Sequence, residues 1–466
     1  MKKAKKPRKA KVVPIKDDDA SLLEQLKAGL DFKDTLGVAR LMREEKYGDT
    51  LLRNQGQFYR YVGTHWRVVD DEVVIAEVYE YIAEKGRTSA AKRPTVTSTR
   101  DALAATVLVE TLPASSHLIG VTNGLLDVRT GELLPHSPAH FTLGCSGFEY
   151  NPAAKCPTWL EFIAQVYPDD PETVQLVQEW MGYCLTLDTR QQKMLLMVGP
   201  KRSGKGTIAR VLRELVGSDV CASPTIEGIG SHFGMQALID KKLAIVSDAR
   251  VTSGSKNTQP AIENMLRISG EDSITLDRKH IGHWTGTMQA RLMVMTNLLP
   301  GLFDEGGALA SRFLIAEHRV SFFGKEDPAL TDRLLGELPG ILNWSLEGLR
   351  RLRERGYFIQ PARAEEAMLR LEAISSPLKG FLRAKCVLDP HAWVEKDVLY
   401  ASYQTWLHEE HEVGTPKSKN KFAEALYAAS DHRIEESKRG PQGARVPGFS
   451  GVALAGDAPK LKVRKF

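Results

Sequence analysis

Two kinds of hydrophobic pattern alternate along the middle of the chain. Short apolar runs occur at 193–198 (KMLLMV), 243–246 (LAIV) and 292–295 (LMVM), and amphipathic stretches such as IARVLRELVG lie between them. Short apolar runs are typical of buried strands, whereas apolar residues spaced by three and four are typical of helices. The alternation predicts an α/β core over about 191–357, with a sheet covered by helices.

The regions on either side have other patterns. Residues 20–153 mix helical and strand signals, with hairpin-like segments at 57–69 and 123–136, and residues 157–187 have helical spacing. Near the C-terminus the pattern predicts three helices and then two strands, at 376–384, 398–410, 418–429, 432–436 and 446–454. Three helices followed by a two-stranded wing indicate a winged-helix domain.

Composition and charge exclude some classes of protein. The 466 residues carry a net charge of +5, and five cysteines form no C-x-x-C pair, so we expect a reducing, cytoplasmic setting without structural zinc. No apolar run approaches the roughly 20 residues that span a bilayer, so no membrane partner is expected. Residues 1–16 hold eight Lys/Arg and no acid. This tail either binds polyanions through counterion release or is simply solvated.

The first core strand leads into a glycine-rich loop and then a helix, which is the context of a P-loop. Glycines let backbone N–H groups surround phosphate oxygens, and the lysine neutralises the β- and γ-phosphates. The pattern departs at Gly206, where a Ser or Thr ligand to Mg²⁺ is usual, and Thr207 follows. The predicted ATP-binding residues are Gly199, Pro200, Lys201, Arg202, Ser203, Gly204, Lys205, Gly206 and Thr207.

Polar residues follow the next two core strands. Asp248 lies after LAIV and could hold Mg²⁺, and Asn297 lies after LMVM and could bind the γ-phosphate. Arg312, in ALASRF, could act as a finger on the ATP of a neighbouring subunit. Each residue has a plainer interpretation: a surface acid that ends a strand, a turn residue, and a structural arginine paired with an acid. Their order after a P-loop favours the catalytic interpretation.

A predicted hairpin lies between Asp248 and Asn297. Two strands, at 273–277 and 283–288, flank a basic tip that contains Lys279 and His280. Such a tip could grip the phosphates of single-stranded DNA, although an isolated basic hairpin is more often only solvated. His280 and His283 have no third ligand nearby at the spacing of a metal site, so a zinc site is not expected.

This ordered set of segments resembles superfamily 3 helicases, with a hairpin tip similar to that of papillomavirus and polyomavirus replication helicases. NGLLDVRTGELLPH (123–136), CPTWLEFI (156–163) and GILNWSLEGLRRL (340–352) look like the poxvirus and phage primase-helicase group. The resemblance implies a hexameric ring that uses ATP and Mg²⁺ to move 3′→5′ on single-stranded or forked DNA. It also implies Arg312 as the finger, Asn297 as the sensor and Lys279 and His280 as DNA contacts. The family usually has two adjacent acids where this chain has Ser247-Asp248, which leaves the catalytic base unassigned.

The C-terminal unit adds a second candidate DNA contact. Lys417, Lys419 and Lys421 lie at the start of its predicted third helix, and Lys438 and Arg439 lie in its wing. Entry of the helix into the major groove, with phosphate contacts from the wing, is one interpretation. The other is a winged helix that contacts protein.

The sequence therefore predicts an α/β protein with a P-loop, AAA+-like helicase core, an N-terminal α+β domain and a C-terminal winged helix. Its function would be replication of a phage, plasmid or other mobile element, and a separate primase or polymerase is a candidate partner. Two alternatives stay open: an origin-recognition or scaffold protein with weak hydrolysis, and a nucleotide kinase. The predicted divisions are a basic tail (1–19), the N-terminal domain (20–153), a helical oligomerisation segment (154–190), the ATPase core (191–357), a linker (358–376) and the winged helix (377–466).

Overall fold

The structure is a computed structural model. It describes residues 31–86, 88–112, 115–247, 258–278, 281–300, 302, 308–410, 418–430, 432–441 and 444–455. The predicted basic tail, Asp248, Lys279, His280 and Lys417 lie outside these ranges. Within them, no helix combines the length and the apolar character needed to cross a bilayer.

A five-stranded parallel sheet forms the centre of the chain. Its strands are β8 (Met194–Val198), β9 (Cys221–Ala222), β10 (Leu243–Val246), β13 (Arg291–Thr296) and β14 (Phe313–Glu317). Their spatial order is β14-β8-β13-β10-β9, so β8 lies between β13 and β14. Burial on both faces explains why β8 and β10 are uninterrupted apolar runs and why the middle of β13, residues 292–295, is apolar too. The mixed α/β class predicted from the sequence is confirmed, and the sheet is compatible with a nucleotide-binding core.

Helices cover both faces of this sheet and create two hydrophobic cores. One core contains Trp159, Trp180 and Leu212, and the other contains Ile262 and Met265. The antiparallel hairpin of β11 (Ser273–Arg278) and β12 (Ile281–Thr287) contributes Ile274 and Leu276 to the second core. The helices are α4 (Pro157–Val166), α5 (Pro171–Cys184), α6 (Lys205–Val216), α7 (Ile226–Gly230), α8 (Thr258–Ser269), α9 (Ala308–Arg312), α10 (Leu330–Gly336), α11 (Leu338–Arg355) and α12 (Glu365–Ser375).

Two helices replace the single helical stretch expected over 157–187. The break falls between Pro168 and Pro171, because a residue before proline avoids the α conformation. Asp170 then caps α5 by accepting a hydrogen bond from the Thr173 N–H. Helix α12 lies within 358–376, where a linker is predicted, and its Leu371 is buried in the second core.

The described residues of the N-terminal part form two small sheets and three α-helices. The predicted hairpin at 57–69 is β2 and β3, and an additional strand, β1, pairs with β2. Strands β4 to β7 form a second sheet, which includes the turn predicted within 123–136. The elements are α1 (Thr35–Met42), β1 (Leu51–Asn54), β2 (Gln57–Tyr61), β3 (Trp66–Val69), α2 (Asp71–Lys85), α3 (Arg93–Thr106), β4 (Leu118–Val121), β5 (Gly124–Asp127), β6 (Leu133–Leu134) and β7 (Cys145–Ser146).

The C-terminal unit has its own core around Phe381, Phe422 and Phe449. Its three predicted helices and two predicted strands are present, together with an unpredicted third strand, β15. Asp389 and Pro390 interrupt the apolar pattern of β15, and the structure accommodates them by a register shift at an edge of the sheet. The elements are α13 (Pro377–Lys385), β15 (Cys386–Glu395), α14 (Lys396–Glu410), α15 (Lys419–Ala429), β16 (Glu435–Arg439) and β17 (Val446–Leu454).

Candidate functional site

The glycine-rich loop connects β8 to α6 at the carboxyl edge of the parallel sheet, where open α/β sheets bind ligands. Gly199 and Gly204 have φ of +150° and +88°, and Arg202 has φ of +57°. A Cβ on Gly199 would lie 2.0 Å from the carbonyl oxygen of His318, so packing excludes a side chain there. A Cβ on Gly206 would have no atom within 4 Å. Packing therefore explains the glycine at 199 but not the glycine at 206.

Lys205 is the buried cation of the loop. Its ammonium donates to the carbonyl oxygens of Gly199 and Pro200, at 2.7 and 2.8 Å, and to Ser203 Oγ at 3.1 Å. Burial lowers the pKa of Lys205. No carboxylate among the described residues forms an ion pair with this ammonium. Its charge is therefore neutralised by no side chain of the described structure and is available to an anion.

Asn297 lies beside Lys205. Its Oδ1 is 3.4 Å from the Lys205 ammonium, and the Gly199 N–H donates to the Thr296 carbonyl at 3.3 Å, which joins the end of β13 to the loop. The structure thus brings together Lys205 and Asn297, both of which the sequence predicts to contact the phosphates. Asp248 follows β10, whose end lies two strand spacings, about 10 Å, from β8.

The other loop residues face different surroundings. Ser203 is buried, whereas Lys201 and Arg202 are exposed, and Arg202 forms an ion pair with Glu326 at 3.3 Å. Thr207 is half-buried in the first turn of α6, and its hydroxyl is 3.5 Å from Arg210. Thr207 therefore lies next to the loop, one residue further along the helix than the usual Mg²⁺ ligand.

A segment that the sequence did not single out lies behind the loop. It follows β14 and includes His318, Ser321 and Phe322, each of which donates a hydrogen bond to a loop carbonyl. The available signal was its position, because a polar segment directly after the last core strand must emerge at the same carboxyl edge. We call residues 318–322 the backing segment.

Arg312 lies at the opposite, amino edge of the sheet. Because Phe313 pairs with Met194 and Glu317 with Val198, Arg312 is roughly 17 Å from the loop, the length of a five-residue strand. Its guanidinium donates to Gln192 Oε1 at 2.6 Å and to the Ser269 carbonyl at 3.3 Å. The described structure gives it no acidic partner. Arg312 is therefore not brought near Lys205 within one chain.

The hairpin is present as predicted, and its described residues make specific contacts. Asp277 Oδ1 lies 2.5 Å from His283 Nδ1, and Asp277 Oδ2 lies 3.1 Å from His232 Nε2. Arg278 is 8% exposed and donates to the Gly282 carbonyl at 3.0 Å. The described residues contain no cluster of three His, Cys, Asp or Glu side chains that could hold a metal ion.

The C-terminal basic residues lie on the surface in a mixed environment. Lys419 pairs with Asp397 at 2.8 Å, and the Arg439 guanidinium lies 5.7 Å from the centre of the Trp393 ring. Lys421 and Lys438 are exposed. This surface offers cations to a partner, although Glu435 and Glu436 on the same strand reduce its net charge.

Two family models match separate parts of the chain. The model described as "D5 N terminal like" matches residues 39–168, and a family of unknown function, DUF5906, matches residues 197–312. The first match includes two of the segments that resemble the poxvirus and phage group, at 123–136 and 156–163. The second extends from the glycine-rich loop to Arg312 and carries no known activity. The chain therefore contains a D5 N terminal-like region.

One protein sequence and two solved structures are also similar to this chain. An uncharacterised mitochondrial protein, ymf21 of Marchantia polymorpha, is 25% identical over 133 residues, which are 26% of this chain and 74% of the relative. The apo structure of the NrS-1 C-terminal region (305–718) has a TM-score of 0.55 at 10% identity and covers 90% of this chain and 99% of that one. A second apo structure of the same region, in the A form, has a TM-score of 0.51 at 11% identity. At such identities the likeness concerns the fold alone, which the two chains share over most of their length.

Proposed function

We propose that this chain is an ATP-driven DNA helicase of the superfamily 3 kind, acting in replication of a phage, plasmid or other mobile element. The observation that carries the proposal is the pair of Lys205 and Asn297, 3.4 Å apart beside a glycine-rich loop at the carboxyl edge of a parallel sheet. A lysine that has no acidic partner among the described residues, next to a polar amide at a strand end, is suited to binding a triphosphate and placing a water molecule near it. The D5 N terminal-like match supports the same class of protein.

The residues present fit ATP and Mg²⁺. The loop backbone and Lys205 would hold the phosphates, with Lys201 and Arg202 exposed at the mouth of the loop. Asp248 and Thr207 would supply oxygen ligands to Mg²⁺, which prefers carboxylate, hydroxyl and water oxygens. The empty space around Gly206 leaves room for a water molecule in the metal shell. When bound, the metal would neutralise charge on the β- and γ-phosphates.

In a ring of identical subunits, a neighbouring subunit would supply the arginine that contacts the triphosphate. Arg312 lies roughly 17 Å from the loop of its own chain, so it can reach a triphosphate only on a neighbouring subunit. Two large apolar side chains beside the loop, Leu298 and Phe323, are 79% and 78% exposed. A second copy packed over the carboxyl edge would bury them, and exposed apolar groups of this size often mark interfaces. We propose a hexamer.

Two elements would contact DNA. Lys279 and His280, at the hairpin tip, would bind phosphates of a single strand in the pore of the ring. The C-terminal unit would act as a winged helix, with Lys417, Lys419 and Lys421 at the start of its third helix and Lys438 and Arg439 in its wing. Its topology supports this proposal, because three helices pack on a three-stranded antiparallel sheet whose last two strands form a hairpin.

One other function is favoured by specific residues. Gly206 and the lone Asp248 depart from the usual metal-binding pattern, as expected of an origin-recognition or scaffold protein that binds ATP and hydrolyses it weakly. The two functions differ in turnover and in strand separation, which can be measured on the same preparation.

The test compares ATP hydrolysis and unwinding of a forked duplex by the wild-type protein and Lys205→Ala, with Lys325→Ala as control. Lys325 is exposed and lies outside the glycine-rich loop. We expect DNA-stimulated hydrolysis and unwinding from the wild type and the control, and neither activity from Lys205→Ala. Equal, negligible hydrolysis by all three would support the scaffold function instead.

A further inference from the structure

We propose that the backing segment, residues 318–322, sets the direction of three consecutive peptide groups in the glycine-rich loop, so that their N–H groups face the phosphates. His318 is its central positioning residue. The inference rests on the proposed binding of ATP and names a second set of residues on which that binding depends.

Each hydrogen-bond donor of the backing segment faces a different carbonyl oxygen of the loop. Ser321 Oγ donates to the Lys201 carbonyl at 2.9 Å, and the Phe322 N–H donates to the Arg202 carbonyl at 2.8 Å. His318 Nδ1 lies 2.8 Å from the carbonyl oxygen of Ser203. Three successive carbonyls of the loop therefore point to the same side, toward the backing segment.

Because the peptide group is planar, the direction of each loop carbonyl also fixes the direction of the N–H group in the same peptide. All described peptide bonds are trans, so the C=O of one residue and the N–H of the next point in opposite directions. Fixing the carbonyls of residues 201, 202 and 203 therefore directs the N–H groups of Arg202, Ser203 and Gly204 away from the backing segment. The left-handed φ values of Arg202 and Gly204 match this arrangement, because alternating right- and left-handed residues form an anion-binding nest.

His318 can serve only as a neutral donor toward the loop. A carbonyl oxygen only accepts, so Nδ1 carries the proton, and Nε2 then accepts from the Tyr167 hydroxyl at 2.8 Å. Both side chains are almost fully buried, at 1% and 3% exposure. Burial also lowers the pKa of His318 to about 4 and raises that of Tyr167, which keeps both groups neutral at physiological pH.

The benefit of the backing segment is preorganisation. Glycine has the greatest backbone freedom of any residue, and a loop whose peptides rotate must lose that freedom when it binds phosphate. One hydrogen bond of ordinary strength contributes about 1.4 kcal/mol at most in such a setting, which corresponds to a factor of about ten in affinity. We therefore expect removal of the His318 donor to weaken nucleotide binding by about tenfold.

The experiment uses the full chain and three variants of two residues. His318→Leu removes the donor, His318→Asn keeps a side-chain N–H near the position of Nδ1, and the exposed Ser321→Ala removes one donor without disturbing the core. Binding of a fluorescent ATP analogue is titrated for each protein, together with KM and kcat for ATP in the presence of single-stranded DNA. Hydrogen exchange of the peptide containing residues 199–206 reports the loop directly.

We expect His318→Leu to raise the dissociation constant and KM about tenfold with little change in kcat, and His318→Asn to restore most of the affinity. Ser321→Ala should raise the dissociation constant by about two- to threefold, because water can replace an exposed donor. Hydrogen exchange in residues 199–206 should increase most in His318→Leu and less in Ser321→Ala, as the dissociation constant does. Unchanged affinity and exchange in His318→Leu and Ser321→Ala would overturn this inference alone. Absence of ATP binding by the wild type would overturn the proposed function itself, and this inference with it.

Discussion

The side-chain amide of Gln55 pairs with the backbone of Thr285 as a neighbouring strand would. Gln55 Nε2 donates to the Thr285 carbonyl at 2.9 Å, and the Thr285 N–H donates to Gln55 Oε1, also at 2.9 Å. Arg278, at the other end of the hairpin, donates to the backbone carbonyl of Gln55. One turn of the N-terminal sheet, between β1 and β2, therefore holds the β11–β12 hairpin of the core.

This contact predicts that Gln55 restrains the hairpin. Gln55→Ala removes two hydrogen bonds of about 1 kcal/mol each, so exchange of the Thr285 amide should accelerate by roughly tenfold or more. Gln57→Ala is a matched control, because Gln57 lies two residues away and donates to Val69 within its own sheet. The measurement is hydrogen exchange over residues 273–287. If both variants exchange as the wild type does, the turn does not hold the hairpin in solution.

Gly206 gives a test of the metal site. A Cβ at this position meets no atom within 4 Å, so Gly206→Ala and Gly206→Ser should both fold and should stabilise α6 by about 0.5–1 kcal/mol. Only serine supplies a hydroxyl where Mg²⁺ usually finds one. We expect Gly206→Ser, but not Gly206→Ala, to lower the Mg²⁺ concentration for half-maximal ATP hydrolysis. The same Mg²⁺ dependence in both variants would place the metal away from residue 206.

Arg312 has either a structural role in its own chain or a catalytic role at the neighbouring subunit, and two variants distinguish these roles. Among the described residues, the Arg312 guanidinium donates hydrogen bonds to Gln192 and to the Ser269 carbonyl. If its role is purely structural, Gln192→Ala, which removes the shortest of these hydrogen bonds, should have a similar effect to Arg312→Ala. If Arg312 acts on a neighbour's ATP, Arg312→Ala should reduce turnover by about 10³-fold or more, whereas Gln192→Ala should retain most of it.

Mixed rings provide the decisive measurement for Arg312. Subunits with Lys205→Ala bind no triphosphate productively but keep their arginine, so mixing them with Arg312→Ala subunits should recover part of the activity. No recovery at any mixing ratio, or equal losses in Arg312→Ala and Gln192→Ala, would assign Arg312 to the structure of its own chain.

The sequence predicted the elements whose pattern is local. The runs at 193–198, 243–246 and 292–295 became buried parallel strands, because residues covered on both faces are apolar throughout. Contacts between distant segments left no such pattern. Tyr167 and His318 are separated by 151 residues yet share a hydrogen bond, and Gln55 and Thr285 are 230 residues apart. Strand β15 was missed for a different reason, since Pro390 is compatible with a strand only at an edge or a bulge.

The buried His318 also makes the stability of the protein depend on pH. In the unfolded chain histidine titrates near 6.5, whereas burial lowers the pKa of His318 in the folded chain to about 4. Between these values the unfolded state binds more protons, so the free energy of unfolding falls as the pH falls. The contribution of the neutral His318 to the free energy of unfolding is complete above pH 6.5 and is lost as the pH approaches 4. Its full size is at most about 3 kcal/mol.

The variant His318→Asn isolates this contribution, because asparagine does not titrate. Its stability deficit relative to the wild type should be greatest at pH 7 and should shrink by up to about 3 kcal/mol toward pH 4. Among the described residues, Lys205 and Tyr167 are the other titratable groups that face His318, and burial raises the pKa of Tyr167 further above this range. Denaturant unfolding at several pH values gives the comparison, with the exposed His391→Asn as control. Parallel curves for the wild type and His318→Asn would mean that His318 is not held neutral in the folded chain, and the donor role of its Nδ1 would then have to be played by a charged ring.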